Sequence, residues 1–161
     1  MWGSGDGSSS APQFVEEEEL DIDAAVRLLI TAPGKKPDYE SAIRKLEEVI
    51  DEDLEPVRKY EIAYLLASAH SELGSNARAW KAISLIPGAV TRDSWVTEDA
   101  YFDFLLRRAQ IQVNTLQYDA ALGTLKPLLE PLTKDVFGQA ACLVAYGAYK
   151  GLNRHTDASS I

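Results

Sequence analysis

Cysteine is almost missing: Cys142 stands alone among 161 residues, so no internal disulfide can staple the fold. It lies in an apolar run, which predicts a buried, reduced thiol and fits the cytoplasm. Histidine is as scarce. Neither His70 nor His155 has a second histidine or cysteine at ligand spacing, so no structural or catalytic metal and no cofactor are expected. Cys142 has no histidine near it in sequence to activate it, and Gly3, Gly5 and Gly7 follow no strand that would make them a phosphate loop; the chain is read as a non-enzyme. No run approaches the roughly 18 apolar residues of a membrane span. The Met1-Trp2-Gly3-Ser4 start is neither basic nor apolar, unlike a secretory signal.

Positive charge is in deficit. Sixteen Lys and Arg face 25 Asp and Glu, for a net charge of −9. Such a balance repels phosphate backbones and predicts no nucleic-acid binding. The deficit sits in the first part of the chain. Residues 1–60 hold 15 acids and 7 bases, whereas 61–161 hold 10 and 9. The Glu16–Glu19 run and the Asp51–Glu55 segment are its main sources, read as a solvated tail and a solvated loop. Residues 1–19, Gly/Ser-rich and then acidic, bury too little to offset ordering entropy and are expected to be disordered. A helical-repeat domain is expected over 20–161.

What is present has a helical period. Asp21 or Asp23 can cap a short helix ended by Thr31-Ala32-Pro33-Gly34. Asp38 caps a second, on which Tyr39, Ala42, Ile43, Leu46, Val49 and Ile50 form one stripe. Pro56 suits the first turn of a long helix reaching about Leu73. A shorter helix follows from Ser75 or Asn76, carrying Ala79, Trp80, Ile83 and Ile86 to the Pro87-Gly88 stop. Another long helix runs from about Trp95 or Glu98 to Asn114, with its partner at Tyr118 to about Leu129. Thr133 or Asp135 opens a last one that ends near Gly151, and Thr156–Ile161 could begin one more. No strand-like alternation occurs.

The shorter helices repeat a motif. Ala42 precedes Leu46 by four, Ala79 precedes Ile83, and Ala121 precedes Leu125; Ala158 extends the register, with spacings of 37, 42 and 37. A small residue lets two helices cross closely. Asp38-Tyr39-Glu40-Ser41-Ala42 and Gln117-Tyr118-Asp119-Ala120-Ala121 resemble the turn-and-alanine segment of the tetratricopeptide family. Ala63, Leu66, Ala67 and His70 match the family's first-helix positions in one copy. Leu105, Arg108, Ala109 and Gln112 match them in the next, and Cys142, Ala145, Tyr146 and Tyr149 in a third. No copy has the family tryptophan, Arg108 departs from an apolar position, and Tyr146 departs from a small one. The resemblance implies an all-α, right-handed array of antiparallel helix hairpins, with a core that includes Leu66, Ala67, Ala79, Ile83, Ala109, Ala121 and Leu125.

The resemblance also implies a protein-binding wall lined by the first helix of each hairpin. Glu61, Tyr64, Ser68, Ser71 and Glu72 would form one stripe; Asp103, Leu106, Gln110, Val113 and Asn114 would form the next at identical spacing. The family's clamp for chaperone tails needs lysine, arginine and asparagine there, and only Asn114 fits, which disfavours such tails. The expected function is a scaffold or adaptor that holds a partner peptide or helix through Tyr64, Ser68, Leu106, Gln110 and Asn114. The alternative is a structural subunit of a larger assembly. Residues 140–149 read apolar all round, as a buried helix does, yet little chain follows to cover them. Val144 and Tyr146 would then dock on a neighbouring subunit or on a second copy.

Overall fold

The computed structural model describes residues 24–29, 34–50, 53–130 and 136–159, with side chains as far as Asn153. The tail, the Asp21 or Asp23 cap, Thr31 to Pro33, Asp51, Glu52, Thr133, Asp135 and the side chain of His155 lie outside what is described. Helix α1 covers 24–29. It is followed by α2 (Tyr39–Ile50), α3 (Pro56–Glu72), α4 (Asn76–Ile83), α5 (Glu98–Asn114), α6 (Tyr118–Leu129) and α7 (Val136–Ser159). One 3-10 turn, Arg92–Ser94, sits between α4 and α5, and no strand occurs among the described residues.

Local chemistry sets these limits. The Asp38 carboxylate accepts from the Ser41 amide at 3.1 Å and caps α2. Pro56 opens α3. Thr97 caps α5 by accepting from the Ala100 amide at 3.1 Å. Ile86, expected on α4, falls beyond its end yet remains buried.

Two turns are copies of each other. At the end of α3, the Gly74 amide donates to the Ser71 carbonyl at 3.0 Å and the Ser75 amide to the His70 carbonyl at 2.9 Å. At the end of α5, Leu116 donates to Val113 at 3.1 Å and Gln117 to Gln112 at 2.7 Å. Each residue of the second set lies 42 after its counterpart, the spacing between Ala79 and Ala121. Both turns end a helix by the same pair of reverse bonds, with one residue in the left-handed region. That residue is Gly74 at φ +75° in the first turn and Leu116 at φ +64° in the second.

Each helix packs on the next from α2 to α7; α3 also packs on α5, and α5 on α7. Ala42, Ala79 and Ala121 are all fully buried, as are Leu46, Ala67, Ile83, Ala109 and Leu125; Leu66 is nearly so. The small side chains therefore lie inside the helix packing, where crossing helices need them. Trp95 plugs the long connection between α4 and α5, stacking on Phe104 with ring centroids 5.0 Å apart and tilting against Tyr60 at 6.2 Å.

Helix α7 departs from the sequence reading in three ways. It runs unbroken to Ser159, so Gly151 is no terminus and Ala158 begins no fourth short helix. A lone glycine without a following proline or a left-handed φ does not stop a helix. Gly151 serves close approach instead, because the Tyr118 ring occupies the space a side chain there would fill. The helix is also not buried all round. Ala141, Ala145 and Ala148 are buried, but Leu143, Tyr146 and Tyr149 are 76%, 68% and 56% exposed. Cys142, expected to be a buried thiol, is exposed with them. An apolar sequence says that a face could be covered, not that something covers it.

Candidate protein-binding wall

Because α3 and α5 pack directly, the two predicted stripes come to lie on adjacent helices. A cleft of about 340 Å³ opens beside α3, lined by Tyr64 and Ser68 together with Leu29, Tyr39, Glu72 and Arg107. Tyr64 is half-buried. The Ser68 hydroxyl is buried and has no hydrogen-bond partner among the described residues. Such an orphan is uncommon, because a buried hydroxyl without a partner loses its water bonds for nothing.

Arg107 crosses from α5 to α3, its Nη1 3.4 Å from the Glu72 Oε1. It also opposes the rise in the Asp103 pKa, which comes first from burial and then from Asp99. One cation thus serves two carboxylates. On α3, Arg58 lies 4.0 Å from Glu61. The wall's arginines are therefore engaged with its own acids, and its surplus charge is negative.

Leu106 and Gln110 are half-buried on α5, and Asn114 is exposed. The Gln110 Nε2 donates to the Asn114 Oδ1 at 3.0 Å, which holds that pair along the helix. None of these three lines the cleft at Tyr64 and Ser68. They continue the surface next to it.

Val144 and Tyr146 are separated from this cleft on α7. Val144 is half-buried and packs on the core, whereas Tyr146 is exposed. The register explains the contrast. Cys142, Tyr146 and Tyr149 correspond to Ala63, Ala67 and His70 on α3, which are buried where α4 packs. No such helix follows α7 among the described residues, so the same positions lie open.

Two features were missed in the sequence. Leu143 falls 37 residues after Leu106 and 79 after Tyr64, at the offset of the two stripes, and it is exposed. Its spacing alone would have located it. The Arg107–Glu72 bridge had no such signal, because it depends on how α5 sits against α3.

No family model, curated protein or solved structure matches this chain. No helix among the described residues is long and apolar enough to cross a membrane.

Proposed function

We propose that this protein is a non-catalytic scaffold or adaptor of the tetratricopeptide kind, which holds a partner peptide or helix along the α3–α5 wall. The observation that carries this reading is the cleft at Tyr64 and Ser68, where a buried hydroxyl lacks a partner beside an aromatic ring. A backbone amide or carbonyl from an incoming segment would satisfy Ser68, and Tyr64 supplies low-entropy contact area. The wall's negative surplus favours a segment carrying lysine or arginine. Leu106, Gln110 and Asn114 would extend the contact, and Leu143 would continue it onto α7. The paired 42-residue units, with matching turns and buried alanines, are what the tetratricopeptide reading rests on.

The exposed face of α7 supports a second reading, a structural subunit fixed in an assembly through Tyr146 and its neighbours. Contiguous apolar surface of this kind marks interfaces.

Affinity capture from the native source, with cross-linking to map contacts, separates the two. Tyr64→Ala combined with Leu106→Ala should abolish capture under the first reading and leave it intact under the second. Tyr146→Glu should do the reverse. Circular dichroism of each variant checks that it is folded, and partners retained by both variants would reject both readings.

A further inference from the structure

Arg108 stands on α5 at the position that Leu66 fills on α3, 42 residues earlier. It is half-buried. Its Cζ lies 5.3 Å from the centroid of the Trp80 ring. A cation over a ring is drawn to its π face, but that contact leaves most of the five N–H donors of a guanidinium still to be paired. The Nη1 is buried and has no hydrogen-bond partner among the described residues. Burial alone lowers the Arg108 pKa, with no neighbouring carboxylate to oppose it. The loop after α4 roofs the group: a side chain at Gly88 would begin 3.6 Å from its Nη2.

Beside this guanidinium is a cavity of about 150 Å³ between α5, α6 and the α4–α5 connection. Val90, Tyr101, Phe104, Leu105 and Pro127 give it one apolar wall, Thr124 and the backbone at Gly88 and Gly123 give it a polar edge, and Arg108 is the only charged residue lining it among the described residues. It shares no residue with the cleft at Tyr64 and Ser68. A half-buried cation with an unmade N–H bond is a deficit that an anion removes, and a carboxylate matches the guanidinium edge best. The volume admits a small stem and not a nucleotide. One arginine would also leave a multiply charged phosphate under-neutralised in such a place.

We propose that this cavity is a carboxylate-binding site, in which Arg108 hydrogen-bonds one carboxylate and the apolar wall holds the short stem that bears it. The carboxylate belongs either to a free small acid or to the C-terminus of a protein partner. The site lies off the α3–α5 wall, and its occupancy does not depend on the scaffold reading.

The test titrates the full chain with benzoate and with N-acetylleucine, each against its uncharged amide, at fixed ionic strength, reading Tm and heat. At least one acid should raise Tm with dose while its amide does not. Response to benzoate alone identifies a free small acid; response to N-acetylleucine identifies a chain terminus. Arg108→Met, which keeps an apolar stem, should weaken binding roughly tenfold or more. Gly123→Leu is the second variant. Gly123 lines the cavity at its exposed edge, and a Cβ there meets nothing within 4 Å, so a larger side chain can be introduced at the mouth without a clash at its first atom. It should lose the response with Arg108 intact, and it decides the matter if Arg108→Met does not fold. Acids that act no better than their amides, or a response that survives in Gly123→Leu, would overturn the proposal.

Discussion

Leu116 occupies a conformation that suits it poorly. Its φ of +64° crowds the Cβ of any L-residue, at a cost of about 1–2 kcal/mol, and 73% of the side chain is exposed, so packing returns little. Gly74 makes the same turn in the preceding copy without that strain. Leu116→Gly should therefore stabilise the protein by roughly 0.5–1 kcal/mol, part of the relief being lost to the freer unfolded chain; urea denaturation measures it. The same register pairs two buried polar side chains, His70 and Gln112. Gln112 accepts from the Thr124 hydroxyl at 2.7 Å and is satisfied at any pH near neutrality. His70 has its pKa lowered, first by burial; Glu47 on α2 raises it and Arg78 on α4 lowers it further. The native state thus favours neutral imidazole. As pH falls past the ordinary value of 6.5, the unfolded chain takes up the proton first. Stability present above that pH is then lost as pH drops towards the native pKa. Urea midpoints between pH 7.5 and 5 should decline in the wild type, and His70→Gln should remove this part of the slope.

Between helices, Gly151 and Tyr118 form a close junction, ring against backbone, where α6 meets α7. Gly151→Ala should cost about 1 kcal/mol despite alanine's better helix propensity, because the displaced ring gives up contacts. In a Tyr118→Ala background the same change should stabilise by up to roughly 1 kcal/mol, and thermal melts of the four-member cycle expose the change of sign. This junction also marks where sequence reasoning ran short. Helix limits set by Asp38 and Pro56 were legible, because capping and a first-turn proline depend on residues a few places apart. The buried alanines were legible through their period. Gly151 was misread as a stop because its neighbour, Tyr118, is 33 residues away, and no local pattern reports that distance. The wall divides the same way. Its stripes followed from spacing, whereas the cleft, the Glu72–Arg107 bridge and the open face of Cys142 depend on which helices meet.

Across the whole molecule, packing runs from neighbour to neighbour, with α7 resting on α5 and α6. Were the helices to behave as the proposed repeat array, stability would be close to a sum of adjacent contacts and damage at one end would spread weakly. Leu125 is fully buried on α6. Leu125→Ala should cost about 2–5 kcal/mol, and hydrogen exchange should show amides of α6 and α7 losing more protection than those of α2 and α3. The open positions on α7 carry a further consequence. Cys142, Tyr146 and Tyr149 stand at the offset of Ala63, Ala67 and His70 on α3. Under the second proposed reading, a helix docking here antiparallel, with an alanine or glycine at the crossing and an aliphatic side chain one turn later, would imitate Ala79 and Ile83. The bulk of Tyr146, where α3 has Ala67, would hold such a helix further off than α4 sits. Selection on that face would then turn on girth before charge.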